Sequence, residues 1–188
     1  MQIVVETERL ILRQFLDSDV DDLVELDSDP AVMQFINGGR PTSRSVIEGK
    51  LLPMYLAQYS AGDQFGRWAA IEASNGAFLG FFHLRAAPQT PDEEPELGYR
   101  LHRSAWGYGY ATEGCQALLD KGFAAWGAHR VVAQAMVVNL ASRRVMEKLG
   151  MKPVRHFRME WPDHIEGEEH GDVEYAITRK EWAQRRRR

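Results

Sequence analysis

The sequence predicts an α/β (α+β) domain in which a mixed sheet carries helices on its faces. Three observations predict it. Strand-like and helix-like periods follow one another in the order β-α-α-β-β-β-α-β-α-β-β. An Asn75-Gly76 turn joins two apolar strands as the strongest short hairpin signal does. A glycine-rich stretch, Trp106 to Gly109, falls between a strand and a helix. The chain has 188 residues, 44% apolar and 27% charged, the composition of one globular unit rather than of a disordered or fibrous chain. We expect a single domain over residues 1–180 and a basic tail over 181–188, which ends in four arginines.

Each element has its own signal. Thr7 to Phe15 alternates as a half-buried strand does. Asp17 to Asp29 places seven acids among Val20, Leu23, Val24 and Leu26, the spacing of a short amphipathic helix. Pro30 and Asn37-Gly38-Gly39 break the chain. Thr42 to Ser60 then reads as a second helix interrupted at Pro53. From Phe65 the period becomes two: Phe65 to Ala73 and Ala77 to Arg85 form the hairpin, and Glu96 to Leu101 follows a proline-rich acidic loop. A helix from Ala111 to Trp126, a buried strand from Arg130 to Val138 and a helix capped by Asn139 and closed by Gly150 come next. Lys152 to Trp161 and Asp172 to Thr178 end the fold as strands.

Composition excludes several classes. Twenty-three Lys and Arg against 27 Asp and Glu give a formal net charge of −4, the wrong sign for a protein that lives on nucleic acid. One cysteine, Cys115, forms no internal disulfide, as in a reducing compartment, and reads as packed rather than nucleophilic. No apolar run reaches membrane-span length and no signal peptide opens the chain. The expectation is a cytoplasmic protein, monomer or homodimer, with no nucleic-acid or membrane partner. The six histidines (83, 102, 129, 156, 164, 170) show no paired ligand spacing, so no metal site is expected.

The residues that carry chemistry lie in two places. Trp106-Gly107-Tyr108-Gly109-Tyr110-Ala111-Thr112-Glu113 feeds a strand into a helix N-terminus, where backbone N–H groups and the positive helix end meet, a place for a phosphate. The dinucleotide fingerprint fails because Thr112 stands at its third glycine, and no Gly-Lys-Ser/Thr is present. The second place is Asn139 to Met151, with Ser142 one turn past a helix-capping Asn139; a plain helix cap is the alternative there.

Together these two segments resemble the GNAT (Gcn5-related) N-acetyltransferases, in particular their RimJ/RimL-like branch. The resemblance runs from Thr7-Glu8-Arg9-Leu10 through Glu96-Leu97-Gly98-Tyr99 and the turn to Glu147-Lys148-Leu149-Gly150-Met151. It implies a mostly antiparallel mixed sheet of roughly seven strands, splayed between the fourth and fifth, with about four flanking helices. It implies acetyl-CoA as co-substrate, its pyrophosphate held at Trp106, Gly107, Tyr108, Gly109, Tyr110, Ala111 and Thr112. Trp106 replaces the usual Gln or Arg of the family's loop. Leu101, Asn139, Ser142 and Arg144 complete the cofactor residues, and pantetheine would pair with exposed strand backbone. Because acetyl-CoA carries about four negative charges and the protein is itself negative, local donors must hold it; Arg103, Arg143 and Arg144 flank the motifs.

The resemblance further implies direct attack of a neutral amine on the thioester. Glu96 is the expected base or water-positioning residue, which requires desolvation to raise its pKa. Many relatives carry a tyrosine where this chain has Met146, so Ser142 is expected to position the sulfur or donate the proton. A role as a serine bonded to its own helix stays open. An α-amine, with roughly a tenth neutral at pH 7, asks less of a base than a lysine. The expected acceptor is a primary amine: a protein N-terminus, or a small amine such as an aminoglycoside, polyamine or amino acid. Acidic segments at Asp92 to Glu96 and Asp163 to Asp172 suggest a mouth for cationic acceptors. A non-catalytic acyl-CoA-binding module is the reading from another class.

Overall fold

A computed structural model describes residues 2–60, 64–86 and 94–187. Eight strands form one sheet in the order β1-β2-β3-β4-β5-β6-β8-β7. They are β1 (Ile3–Glu6), β2 (Leu10–Arg13), β3 (Gly66–Glu72), β4 (Phe78–Arg85), β5 (Glu96–Leu101), β6 (Arg130–Met136), β7 (Lys152–Phe157) and β8 (Asp172–Thr178). Every neighbouring pair is antiparallel except β5 with β6, which are parallel. That one parallel contact positions the site.

The sheet has one strand more than the roughly seven read from sequence. The predicted first strand, Thr7 to Phe15, is the second half of a hairpin. Thr7 N–H donates to the Leu10 carbonyl and Leu10 N–H to Thr7 Oγ1, each at 2.9 Å, turning the chain back on β1. Helices are also more numerous. Besides α1 (Val20–Ser28), Pro30 opens α2 (Pro30–Asn37) instead of breaking the chain. Proline suits the first helical position, and Asp29 caps it by accepting from Ala31 N–H at 2.9 Å. Around Pro53, α3 (Arg44–Val46) runs through a π turn (Ile47–Leu51) into α4 (Leu52–Ser60), so the interruption is a widened turn rather than a gap. Then follow α5 (Tyr110–Ala124), α6 (Leu140–Lys148) and α7 (Arg179–Arg185). Helix α7 spans the boundary drawn at residue 180, and its Trp182 indole donates to Asp120 at 2.6 Å.

The sheet separates two apolar cores. On one face α5 and α6 bury Leu118, Leu119, Phe123 and Met146 against Leu12, Phe82, Leu97 and Val131. On the other, α1, the π turn and α4 bury Leu26, Ile47 and Tyr55 against Phe15, Ala69 and Phe81. Period-two alternation along β5 sends Leu97 and Leu101 to the first face and Glu96, Gly98 and Arg100 to the second. Among the described residues no helix is long and apolar enough to cross a membrane.

Candidate active site

Strands β5 and β6 begin together and then part. Glu96 is the only β5 residue in register with β6, opposite Val132, and Val132 N–H donates to the Pro95 carbonyl at 3.1 Å. Beyond that pair the facing edges, Gly98 to Leu101 and Ala133 to Met136, leave their ladder unmade. This is the splay expected between the fourth and fifth predicted strands, which are β5 and β6 here.

The end of β5 leads into the glycine-rich turn. Gly107 and Gly109 take φ of 82° and 88°, a left-handed conformation that costs other residues roughly 1–2 kcal/mol. The turn is open: Trp106 is 46% and Tyr108 67% exposed. Helix α5 makes its first hydrogen bond from Glu113 N–H to the Gly109 carbonyl at 3.0 Å. The amides of residues 107 to 112 therefore engage no protein acceptor among the described residues. Trp106 plays a different part, its indole N–H donating to the Leu101 carbonyl at 2.9 Å and tying the turn to the strand. The corner is braced from the N-terminal hairpin. Glu113 accepts from Thr7 Oγ1 and Arg9 Nε, both at 2.7 Å, while Arg9 Nη1 donates to the Tyr108 carbonyl at 2.9 Å. Sequence reading placed Thr7 to Leu10 and the turn in one motif set without seeing that they touch.

Asn139 caps α6, its Oδ1 accepting from Ser142 N–H at 3.1 Å. Ser142 Oγ faces the Tyr99 hydroxyl across the opening. Burial pushes the Tyr99 pKa up, and the Ser142 contact offsets only part of that. Met146 is buried. Arg143 is occupied within the fold, Nη1 donating to the Val137 carbonyl at 2.9 Å, and Arg103 pairs with Asp29 at 3.2 Å. Arg144 is exposed. Cys115 is buried and burial raises its thiol pKa.

On the opposite face, Glu96 meets Arg85, its register partner on β4, and His83, the register partner of Gly98. Its Oε2 lies 2.7 Å from Arg85 Nη2, and its Oε1 lies 3.9 Å from His83 Nε2. Burial pushes the Glu96 pKa up, but His83, Arg85 and Arg67 more than reverse this and leave it below the ordinary carboxylate range. That direction is the opposite of what proton abstraction by Glu96 asks. His83, which sequence reading left without a role, is the more suitable group. Its ring lies so close over Gly98 that a Cβ there would meet Cε1 at 2.4 Å. Neither ring nitrogen has a hydrogen-bond partner; burial lowers the imidazole pKa, and the nearby Glu96 carboxylate opposes part of that. The acidic segments thought to attract cations are largely matched: Glu94 pairs with Arg130, Asp163 with Arg40 at 3.1 Å, and Glu168 with His164 at 2.8 Å. Residues 92 and 93 lie outside the described residues. Two clefts, of about 400 and 300 Å³, lie elsewhere, beside Trp182 and beside Trp126.

The open strand-to-helix corner of unengaged amides, leading from a split parallel pair, is a place for a diphosphate. The comparisons agree. The acetyltransferase (GNAT) domain family matches residues 9–152, and the chain belongs to that family. It is 34% identical over 166 residues to the FsC-acetyl coenzyme A-N(2)-transacetylase of Aspergillus fumigatus, covering 85% of this chain and 69% of that one. The acetyltransferase (GNAT family) structure from Bacillus anthracis superposes with a TM-score of 0.77 at 26% identity, over 96% of this chain and 100% of that one. A structure of RimL, a ribosomal L7/L12 alpha-N-protein acetyltransferase in complex with coenzyme A, shares the fold at TM-score 0.78 and 21% identity, over 94% and 98% of the two chains. The chain is an N-acetyltransferase that uses acetyl-CoA, which sets aside the non-catalytic module.

Proposed function

We propose that the chain acetylates the α-amine of its acceptor. The observation that carries this reading is His83: a buried imidazole whose two nitrogens have no hydrogen-bond partner, placed over Gly98 where β5 and β6 part. An imidazole is a weak base, adequate for an α-amine of pKa near 8 and poorly matched to a lysine near 10.4. The printed names of the Aspergillus relative, with its N(2), and of RimL, with its alpha-N, support the same class of nitrogen.

Bound acetyl-CoA supplies the acetyl thioester. The protein's part is to hold and aim it. The amides of Gly107, Tyr108, Gly109, Tyr110, Ala111 and Thr112 receive the diphosphate, reinforced by the N-terminal end of α5. Arg144 is free to meet a further phosphate. The unpaired edge from Gly98 to Leu101 receives the pantetheine amides in place of a strand. His83 takes the proton that the amine gives up, and the Glu96 carboxylate, fixed by Arg85 and 3.9 Å from Nε2, stabilises the imidazolium that forms. The Ser142 hydroxyl, backed by Tyr99, relays a proton to the departing sulfur and is reprotonated from solvent, while His83 returns to solvent the proton it took from the amine; Ser142 so takes the place of the tyrosine absent at Met146.

Free-thiol release from acetyl-CoA tests this with α-amino acids, short peptides with free N-termini, Nα-acetyl-lysine and spermidine as acceptors. The expected result is an α-amine favoured at least tenfold in kcat/KM over both ε-amine and polyamine. Equal or better use of Nα-acetyl-lysine or spermidine would contradict it.

A further inference from the structure

We infer that the acceptor carries a carboxylate next to the amine that is acetylated, and that Arg67 receives it. This rests on the α-amine reading and adds the substrate class. On the α1/α4 face, three strands set charged side chains side by side. Arg67 of β3 is in register with His83 of β4, His83 with Gly98 of β5, Arg85 with Glu96, and Phe81 with Arg100. Two of the three guanidiniums are matched, Arg85 by Glu96 at 2.7 Å and Arg100 by the buried Asp27. Arg67 is not. No carboxylate of the described residues lies within ion-pair distance of it, and its guanidinium rests over the Tyr55 ring at 4.9 Å.

The cluster is short of acceptors as well as of negative charge. Arg85 Nε and Arg100 Nε are buried donors without partners, and so is whichever His83 nitrogen carries the hydrogen. A buried donor left unmade is costly, and an uncompensated charge more so. Burial lowers the Arg67 pKa, and the like charges of Arg85 and Arg100 add to the effect although Tyr55 and Glu96 oppose it. A single carboxylate answers all of this at once, with one negative charge and about four lone-pair directions. A polyamine would add positive charge to a site that already has an excess.

Geometry limits where that carboxylate sits. Strands stand about 4.8 Å apart, so the Arg67 backbone is about 10 Å from Gly98, where the amine must reach the opening. The arginine side chain covers most of that span. What remains suits an amine and a carboxylate on the same or adjacent carbons, as in an α-amino acid.

The test is steady-state thiol release at saturating acetyl-CoA, with the common α-amino acids each compared with its α-carboxamide, for the native chain and Arg67→Gln. The native enzyme is expected to prefer acid over carboxamide at least tenfold in kcat/KM. Arg67→Gln is expected to raise KM for the acid at least tenfold, to change kcat/KM for the carboxamide less than threefold, and to leave CoA affinity by calorimetry unchanged. Arg67→Lys, which keeps the charge, is expected to recover part of the loss. Equal use of acid and carboxamide by the native enzyme, or equal losses for both in Arg67→Gln, would overturn the inference and leave the α-amine reading standing. Absence of thiol release with every α-amine tested, acid or carboxamide, would overturn both.

Discussion

On the proposed function, the turn at residues 106–112 and the charged face of β3 to β5 are two halves of one site built by opposite means. The turn is made of main chain: six unengaged amides, two left-handed glycines and a helix end, braced by Arg9 at the Tyr108 carbonyl. The charged face is made of side chains from three strands and two helices, and its balance depends on which guanidinium has a partner. Backbone donors bind any diphosphate alike, which suits a co-substrate shared by a whole family. Side-chain charges are free to vary with the acceptor. If the proposed roles hold, the difference teaches that cofactor use and acceptor choice are separable, and substitutions should separate them.

The largest expected effect is on stability. Asp27→Ala leaves the Arg100 guanidinium, itself mostly buried, without its partner, a loss of about 3–5 kcal/mol. At about 2–4 °C per kcal/mol for a chain of this size, calorimetry should show Tm lowered by roughly 6–20 °C. A shift under about 2 °C would mean the charged face does not depend on pairing.

Next comes the turn. Replacing Gly107 and Gly109 together by Val imposes about 2–4 kcal/mol of left-handed strain, and CoA affinity should fall at least thirtyfold by titration calorimetry, with the acid-over-carboxamide preference retained. If that preference changed in step with affinity, the two regions would not be independent.

Ser142→Ala is cleaner still, because Asn139 caps through the Ser142 amide rather than its hydroxyl. The cap survives. Turnover should drop about tenfold or more if the hydroxyl supplies the proton, and Tyr99→Phe should lower it in the same direction. Turnover within twofold of the native enzyme would remove Ser142 from that role.

The smallest effect is in pH dependence. The folded-state pKa of His83 lies below 6.5, so as pH falls the unfolded chain takes up this proton first. Stability contributed by the neutral imidazole is therefore full above about pH 6.5 and declines below it. Glu96, Arg85 and Arg67 are the charged groups that surround it. Between pH 7.5 and 5.5 the native chain should lose more Tm than His83→Gln does; parallel losses would show that His83 is not buried neutral.

The same contrast decides what was legible in the sequence. The turn, the Asn139 cap and the β5 strand from Glu96 to Leu101 are written in contiguous residues, and local sequence suffices for a feature made of local backbone. Glu96 was found by position but not by environment, because Arg85 and His83, which hold its pKa down, reach it only through the β4–β5 register. Arg67 and His83 were legible only as polar positions alternating with Trp68, Phe82 and Leu84. That is how a solvent-facing strand also reads; Tyr55 of α4, a helix from another part of the chain, covers Arg67. The brace from Arg9 to Glu113 escaped for the same reason, since 104 residues separate its ends. Strand β1 and helix α2 were missed more simply: a short hairpin with a Thr7 turn has no Asn-Gly signal, and Pro30 opens a helix as readily as it ends one.

The most direct measurement follows the backbone amides of nitrogen-15-labelled protein by NMR as CoA is added. The grip described here requires the largest shifts at Gly107 to Thr112, with a second set along Gly98 to Leu101 and little change at Arg67. Unmoved resonances at the turn, with the response centred instead on residues such as Gln116 and Trp182 around the cleft behind α5, would contradict it.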